Sequence, residues 1–535
     1  MRSLAVAATV LALVILSFSP SPAAAQSGTN PHITSVTQVW ARPYQTIQIS
    51  GTGFGSLRPF NGDSAFIAIT DLTQNWTAGH TGDAVTLDVT SWSDSLITMT
   101  SFGGAYGTGN QSLLAGDVLS IEVWNAQTFA GPAKARATVL ANATAVYTFK
   151  GQPDATGGAG GLILDSNGNF YGMGGGGVYY NCYYSSCGTV WEVSPASGGT
   201  YSDAILYDFL SIADGYQPIG TLTRDSSGNL YGVTAYGGLT TVCFLGCGTL
   251  FEISGGVKTL LHTFQYGSGD GIYPGAGLTL DASGNLFGTT GRGGTQDAGT
   301  IFELTPNGTG GWNYSIVYNF LGGVADGAEP DSALILDSAG NFYGTTYAGG
   351  GTEYCNNYIS GCGTVFEFSP ASGGGFTEKV LHIFKGTAEG VQPAGVTFDA
   401  SGKLFGATTY GGPPCSSRYN SGCGVAYALW PQSNGTWTEK TIFYFSNNIN
   451  NVDGSTYPRG GLAYHKGVFY GYAGGGASGI GSLYTLTPAG ASWTEATIYS
   501  FGGAGSDGGQ PAGAPIFGPD GTLYGVGGGA IFTVP

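Results

Sequence analysis

Eight cysteines are the residues of this sequence whose type and spacing most directly suggest chemistry. They form four close pairs, which are Cys182 with Cys187, Cys243 with Cys247, Cys355 with Cys362, and Cys415 with Cys423. A structural zinc site usually combines two such pairs or adds nearby histidines. Here the pairs lie far apart along the chain, and no histidine flanks them. The pattern therefore favours four local disulfides over a metal site, and disulfides are typical of exported proteins.

The segments that hold the cysteine pairs are also rich in tyrosine and asparagine. A disulfide stiffens a loop and so reduces the entropy that is lost when the loop binds a partner. Tyrosine, asparagine and arginine on rigid loops suit saccharide or protein surfaces. The candidate ligand-binding residues are Tyr183, Tyr184, Phe244, Tyr354, Tyr358, Arg418 and Tyr419. The alternative, in which the disulfides only stabilise long loops, stays open.

Candidate catalytic groups are scarce in the sequence. The five histidines form no recognisable motif with serine and aspartate, and no Gly-x-Ser-x-Gly nucleophile motif is present. His262 and His382 replace a tyrosine of a repeated motif, which favours a packing role for both. No catalytic residue is therefore assigned. A propeller enzyme that acts on polysaccharide, as a lyase or glycoside hydrolase, remains the alternative function.

Two sets of carboxylates recur at repeated positions in the sequence. One set follows an aromatic residue and consists of Glu192, Glu252, Glu303 and Glu367. The other set precedes a proline and consists of Asp214, Asp270, Asp326, Glu389, Asp453 and Asp507. A ring of such carboxylates would suit calcium, but capping of turns by the second set is the favoured interpretation. We predict no cofactor, with calcium as the alternative.

These residues lie within a unit that recurs seven times. Its first block is an apolar strand, a turn and an aromatic residue followed by glycine, and it ends at Gly172, Gly232, Gly288, Gly344, Gly406, Gly471 and Gly525. The period is roughly 60 residues, which is typical of tandem-repeat architectures. A second block begins at Gly188, Gly248, Gly299, Gly363, Gly424, Gly481 and Gly529. A third block ends at Phe209, Phe264, Phe320, Phe384, Phe445 and Phe501, and its seventh copy, with Phe149, precedes the first repeat.

Four short strands per unit, separated by Gly, Asn, Asp and Ser turns, predict a small antiparallel sheet. Radial stacking of such sheets buries their faces and shortens their exposed edges. We therefore predict a seven-bladed β-propeller over residues 145–535, in which the strand at 145–149 completes the last blade. An open solenoid is the alternative. In the turn of the first block, Asp165, Asp225, Asp281, Asp337 and Asp399 are predicted to act as caps, with calcium binding as the less favoured interpretation.

The three recurring blocks resemble the GloVer tandem repeat of bacterial exported proteins. The Asp-x-x-Gly-Asn-x-Tyr segment is also similar to the turn of NHL-type propellers and of virginiamycin B lyase. The resemblance implies the propeller fold but no defined biochemical activity.

Residues 30–144 lack the repeat and alternate apolar and polar residues in short runs, which predicts a small β-sandwich. Their Gly51-Thr52-Gly53-Phe54-Gly55 segment, after an early strand, resembles an IPT/TIG immunoglobulin-like domain, which implies a spacer or interaction module. The predicted fold is thus all-β, an immunoglobulin-like sandwich followed by a propeller.

The first residues predict export. Arg2 precedes an apolar run from Leu4 to Leu16, and small residues follow up to Ala25. This layout indicates a secretory signal peptide at residues 1–25 and a secreted, extracellular or cell-surface location in a bacterium. A net charge of −17 argues against nucleic acid as a partner. The predicted function is a monomeric, non-catalytic binding or adhesion protein that recognises extracellular carbohydrate or protein.

Overall fold

The structure, a computed structural model, describes residues 30–534 except for several short segments. Those left out are 38, 41–43, 107, 109–110, 112, 114–116, 141–143, 152–154, 178–181, 183–185, 239–242, 268, 352–353, 356–358, 387, 414–421, 446–455, 475–480, 491 and 502–510. The described residues form strands, with one short 3₁₀ turn at Ser197–Gly199 and no α-helix. Within this part of the chain, no helix has the length and apolar character needed to cross a membrane. The all-β prediction is confirmed.

The N-terminal region forms a single ten-stranded sheet. Its strands are β1 (His32–Val36), β2 (Val39–Trp40), β3 (Tyr44–Thr52), β4 (Phe60–Gly62), β5 (Ile67–Asp71), β6 (Trp76–Ala78), β7 (Val85–Trp92), β8 (Leu96–Gly104), β9 (Val118–Val123) and β10 (Ala133–Leu140). They follow the order β1-β3-β8-β7-β6-β5-β9-β10-β2, and β4 pairs with β7. The sheet curls around one apolar core, and β1 and β10 flank a cleft of about 390 Å³. The arrangement is barrel-like and compatible with the sandwich-like domain that the sequence predicts.

Seven further sheets form the blades of a propeller, which confirms the predicted architecture. Blades one and two contain β12 (Ile163–Leu164), β13 (Phe170–Gly174), β14 (Thr189–Pro195), β15 (Tyr201–Asp208), β16 (Tyr216–Arg224), β17 (Leu230–Tyr236), β18 (Thr249–Ser254) and β19 (Val257–Thr263). Blade three contains β20 (Gly271–Pro274), β21 (Thr279–Leu280), β22 (Leu286–Gly293), β23 (Thr300–Pro306) and β24 (Trp312–Asn319). Blade four contains β25 (Gly327–Pro330), β26 (Ile335–Leu336), β27 (Phe342–Gly349), β30 (Thr364–Pro370) and β31 (Phe376–Ile383), and a hairpin of β28 (Tyr354–Cys355) and β29 (Ile359–Ser360) interrupts it.

The remaining blades repeat the same antiparallel order from the innermost strand outwards. Blade five contains β32 (Val391–Phe398), β33 (Leu404–Tyr410), β34 (Val425–Pro431) and β35 (Trp437–Tyr444). Blade six contains β36 (Pro458–His465), β37 (Val468–Ala473), β38 (Ser482–Ala489) and β39 (Ser492–Ser500). Blade seven contains β40 (Ala512–Phe517), β41 (Leu523–Val526), β42 (Ala530–Val534) and, as its outermost strand, β11 (Thr144–Thr148).

Strand β11 closes the ring as the sequence predicts. It pairs antiparallel with β42, with Ala145 opposite Phe532 and Tyr147 opposite Ile531. Directly after β11, the ring of Phe149 lies 4.8 Å from that of Trp191 in blade one. One short segment therefore completes blade seven and also contacts the next blade.

A cross-strand contact between glycine and an aromatic ring recurs in all seven blades. The last glycine of the first block lies directly opposite an aromatic residue of the third strand; the pairs are Gly172–Trp191, Gly232–Phe251, Gly288–Phe302, Gly344–Phe366, Gly406–Tyr427, Gly471–Tyr484 and Gly525–Phe532. A Cβ atom at any of these glycines would lie less than 3.0 Å from the opposite side chain. The ring thus occupies the space that a side chain on the glycine would need. This contact explains why the first block ends in glycine.

The same aromatic residues link neighbouring blades. The phenylalanine that ends the third block of one blade packs against the third-strand ring of the next blade, at centroid distances of 4.8 to 5.5 Å. The pairs run from Phe149–Trp191 through Phe209–Phe251 to Phe501–Phe532 and so extend around the whole ring. Buried aromatic pairs contribute about 0.5–1.5 kcal/mol beyond their area.

The turns of the first block are capped as predicted. Asp165 Oδ1 accepts hydrogen bonds of 2.9 Å from the backbone N–H groups of Asn167 and Asn169. Equivalent bonds are made by Asp225, Asp281, Asp337 and Asp399. These aspartates therefore satisfy the turn backbone on the face of the ring opposite the cysteines.

The closing strand can be tested by truncation. A chain that starts at residue 151 lacks β11 and Phe149, whereas a chain that starts at residue 144 keeps both. Loss of a buried phenylalanine alone typically costs about 3–5 kcal/mol. We expect the shorter chain to unfold at a clearly lower denaturant concentration, as followed by circular dichroism. Equal midpoints for the two chains would show that β11 does not close the ring.

The glycine–aromatic contact predicts the effect of a single methyl group. Gly344→Ala should lower the free energy of unfolding by about 1–3 kcal/mol, because the new Cβ collides with Phe366 in a packed core. Gly373→Ala is the matched control in the same blade, since a Cβ there meets no atom within 4 Å. In a double-mutant cycle, Phe366→Leu should make Gly344→Ala less costly. Additive costs of the two substitutions would contradict this explanation.

Candidate functional site

The loops between the second and third strands and the connections between blades emerge on one face of the propeller. This follows from hydrogen bonds between them, in which Gln217 N donates to Cys187 O at 3.1 Å and Tyr273 N donates to Cys247 O at 2.9 Å. Gln392 and Tyr457 make the same bond to Cys362 and Cys423. The face that carries these four cysteines is called the disulfide face below. Each of its cysteine loops is attached to the first strand of the following blade.

Three of the predicted disulfides are present among the described residues. They join Cys182 to Cys187, Cys243 to Cys247 and Cys355 to Cys362. Cys423 is also disulfide-bonded, and its predicted partner, Cys415, lies outside the described residues. The described cysteines are all buried, and the first two pairs belong to the apolar cores between neighbouring blades. The disulfides therefore anchor the base of each loop.

The structure places few of the predicted ligand-binding residues. Phe244 lies between Cys243 and Cys247, and its side chain is 70% exposed. Tyr354 lies on strand β28, next to Cys355. The other candidates, Tyr183, Tyr184, Tyr358, Arg418 and Tyr419, lie outside the described residues. Their role as a binding surface remains a prediction.

A channel of about 400 Å³ runs along the propeller axis. Its wall is built from the start of the innermost strand of every blade, with small residues such as Gly160, Gly220 and Ala276. A neighbouring cavity of about 350 Å³ lies between blades one and two and is lined by Cys187, Tyr216 and Gln217. Both cavities share Ala159 and Ile219, so they are adjacent. A disulfide loop thus borders a cavity that adjoins the channel.

A ring of residues with left-handed backbone surrounds the channel at the disulfide face. Each precedes the proline that starts the innermost strand, and φ lies between 54° and 60° at Gln217, Tyr273, Glu329, Gln392 and Tyr457. Non-glycine residues rarely adopt this conformation, and they are enriched at functional sites. Their residue types vary between blades, so the sequence analysis did not single them out. The fixed position before the repeated proline was the signal that could have found them.

Asp331 is the acidic residue of the channel wall. Although the channel exposes its side chain, the surrounding protein desolvates the carboxyl group, and Glu329 adds a nearby negative charge. Together these effects raise the pKa of Asp331 to about 7. No repeated pattern marks Asp331 in the sequence, because the other blades carry uncharged or basic residues at the equivalent position.

The repeated carboxylates have structural partners. Asp214, Asp270 and Asp326 cap the connections between blades by accepting backbone hydrogen bonds from Leu210, Gln265 and Leu321, which confirms the capping interpretation for these three. Asp453 and Asp507 lie outside the described residues. Glu192, Glu252 and Glu367 instead accept hydrogen bonds from the hydroxyl groups of Tyr171, Tyr231 and Tyr343. Among the described side chains, no group of three or more His, Cys, Asp and Glu is arranged to hold a metal ion.

The two histidines of the third block lie between blades. His262 stacks on Tyr314 at 3.7 Å, and its Nε2 lies 2.8 Å from Asp270 Oδ2. His382 Nε2 lies 3.5 Å from Glu389 Oε2, and burial, followed by the charge of Lys385, lowers the pKa of His382 to about 4. Both contacts fit the packing role that the sequence favours.

Two carboxylic acids between blades are desolvated next to other acids. Tyr318 Oη lies 3.0 Å from Asp326 Oδ2 and 3.3 Å from Glu378 Oε2. Because the hydroxyl group has one proton, it can donate a hydrogen bond to only one of these two carboxyl groups at a time. Burial, followed by the charge of Asp326, raises the pKa of Glu378 to about 7. Burial, followed by the charge of Glu389, likewise raises the pKa of Glu439 to about 7.

These shifts predict that the propeller is more stable in mild acid. The folded state holds protons on Glu378 and Glu439 that the unfolded state releases above its ordinary pKa of 4.5. Their stabilising contribution is therefore complete below about pH 4.5 and is lost as the pH rises through about 7. Glu378→Gln should raise the melting temperature at about pH 8.5 and reduce its dependence on pH. A variant with the same pH profile as the wild type would exclude Glu378 as a source of this dependence.

Comparisons with solved structures find chains of similar length. A protein titled auxiliary nutrient binding protein from Bacteroides ovatus has 11% identity, with 95% of this chain and 98% of that chain covered at a TM-score of 0.38. One with the same title from Bacteroides thetaiotaomicron has 11% identity and the same coverage at a TM-score of 0.37. A protein of unknown function from Bacteroides thetaiotaomicron has 12% identity, again with 95% and 98% covered, at a TM-score of 0.35. No curated protein sequence matches the chain.

A family model describes the repeat itself. The Gloeobacter/Verrucomicrobia repeat matches residues 134–358 and 244–473. These two matches overlap and together span more than half of the chain, including the whole of blades one to five. The chain therefore belongs to the Gloeobacter/Verrucomicrobia repeat family.

Proposed function

We propose that this protein is an exported, non-catalytic binding protein that recognises extracellular carbohydrate through its disulfide face. The observation that carries the proposal is the way the cysteine loops are built. Their cysteines are buried between blades, while Phe244, enclosed by one disulfide, is 70% exposed. A loop with a fixed base and an exposed aromatic tip loses little entropy on binding. Aromatic rings on such loops are typical anchors of binding surfaces.

The disulfides also support export. Disulfides persist in oxidising compartments and are rare in the cytosol. Together with the apolar run from Leu4 to Leu16, they favour a signal peptide at residues 1–25 and a bacterial extracellular or cell-surface location. In this proposal residues 30–144 form an IPT/TIG-like spacer, residues 145–535 form the binding propeller, and the protein acts as a monomer.

A glycan array with the mature chain tests the proposal, and variants of the loops then test the surface. Phe244→Ala, Tyr184→Ala, Tyr358→Ala and Tyr419→Ala should each weaken binding of the glycan that the array identifies. Truncation of an aromatic anchor typically costs about 1–3 kcal/mol. The melting temperatures should stay close to that of the wild type; for Phe244 the reason is that its side chain is 70% exposed.

Tyr266→Ala is the control on the same face. Tyr266 is 51% exposed and lies in a connection between blades, outside the cysteine loops. We expect this variant to bind as the wild type does. An array without any bound glycan would exclude the proposed carbohydrate-binding function. Loop variants that all retain full affinity would show that the disulfides are only structural.

A further inference from the structure

Six described tyrosines of blades two to six lie at the disulfide-face ends of the first or second strands of their blades. They are Tyr216, Tyr236, Tyr273, Tyr347, Tyr410 and Tyr457, called the tyrosine arc below. The channel wall is built mainly from glycine and alanine, so few bulky side chains narrow the channel. We propose that the mouth of this channel, bounded by the tyrosine arc and by Glu329 and Asp331, binds one end of a neutral saccharide chain. This inference rests on the proposed carbohydrate-binding function.

The tyrosine arc consists of rings in contact across blade boundaries. Tyr236 lies 5.9 Å from Tyr216 and 5.7 Å from Tyr273, so one group of three rings joins blades two and three. Tyr410 lies 5.6 Å from Tyr457, which joins blades five and six. Apart from the buried Tyr216, these rings are partly exposed. Partly exposed tyrosines offer an apolar ring face together with a hydroxyl group, which suits the CH and OH groups of a sugar.

Polar groups lie between the two groups of rings. Burial raises the pKa of Tyr347, as do Tyr410 and the carboxyl groups of Glu329 and Asp331, while a hydrogen bond with Gln392 opposes the shift. These interactions place side chains of blades four and five close to one another. On the other side, the Gln217 amide lies 3.3 Å from Tyr216 Oη. Amide and carboxyl groups are donors and acceptors for several sugar hydroxyl groups.

The mouth is held in one conformation by the backbone. Four residues around it, Gln217, Tyr273, Gln392 and Tyr457, have left-handed φ values and are each followed by proline. The prolines pack against the glycine that starts the second block; a Cβ at Gly248, for example, would lie 2.6 Å from Pro274 Cδ. A left-handed φ at a non-glycine residue is strained, and it persists because the packing of the neighbouring proline holds the backbone in place. A ligand would therefore meet a site that is already organised.

The two cavities indicate how a chain could be placed. The channel has a volume of about 400 Å³ and the adjacent cavity one of about 350 Å³. Both volumes lie within the usual range of ligand sites. Gly174, Gly175 and Cys187 of blade one line the adjacent cavity. A saccharide held at its end by the tyrosine arc can continue into this cavity.

The charges at the mouth exclude other ligand classes. The carboxylate of Glu329 disfavours ligand carboxylates and sulfates, Asp331 adds to this effect at pH values above its raised pKa of about 7, and the chain as a whole has a net charge of −17. A neutral saccharide satisfies both the ring faces and the polar groups.

Isothermal titration calorimetry on the full mature chain tests the inference. The probes are cellohexaose, xylohexaose, mannohexaose and maltohexaose as neutral chains, and hexagalacturonate as an anionic chain. We expect at least one neutral chain to bind and hexagalacturonate not to bind. Tyr236→Ala and Tyr410→Ala should each weaken that binding at least about tenfold, whereas Tyr236→Phe and Tyr410→Phe should keep most of it. Asp331→Asn, which retains the shape of the side chain, should restore some binding of hexagalacturonate.

The possible failures can be distinguished. Absence of binding by every neutral hexasaccharide overturns the inference, and a glycan array without any hit also removes the proposed function. If a neutral chain binds and only the loop variant Phe244→Ala weakens it, the function stands and the channel mouth is not the site. Preferential binding of hexagalacturonate would overturn the assignment to neutral saccharides. Tyr266→Ala, on the same face but outside the tyrosine arc, should bind as the wild type does in each case.

Discussion

A glycine on the second strand of every blade lies directly opposite an aromatic ring on the third strand, and the packing of the propeller depends on this contact. The ring fills the space above the glycine, so a methyl group there would collide with it. The same ring is the surface against which a phenylalanine of the preceding blade packs. One glycine therefore allows both the sheet of its own blade and the junction with its neighbour. The contact recurs seven times, and Phe149 supplies the junction between blades seven and one.

Because these contacts lie in the middle of the blades, the two faces of the propeller are free to differ. The face with the aspartate turns is uniform, since each Asp caps its own turn and repeats the same hydrogen bonds. The disulfide face varies from blade to blade in loop length, cysteine content and aromatic content. Its disulfides are buried at the blade junctions, where they join the variable loops to the constant core. Binding function is therefore best sought on this face.

Burial determines the protonation of three acids of the propeller. Glu378, Glu439 and Asp331 are all desolvated near another carboxylate, and each has a raised pKa. Glu378 and Glu439 lie between blades, where they connect stability to pH. Asp331 instead lines the axial channel. The same physical cause thus acts both between blades and at the channel wall.

The repeat, the number of blades, the closing strand, the aspartate caps and the local cysteine pairs were all readable from the sequence. They depend on contacts between fixed positions of the recurring blocks, either within one unit, as between Gly344 and Phe366, or between successive units. The barrel-like curling of the first ten strands and the mouth of the channel were not readable. Glu329 and Tyr347 of blade four lie near Tyr410 of blade five, and no residue type recurs at these positions in every blade, so no periodic pattern marks them. Only the closure of the ring brings the starts of all the innermost strands together, and that closure decides which side chains meet at the axis.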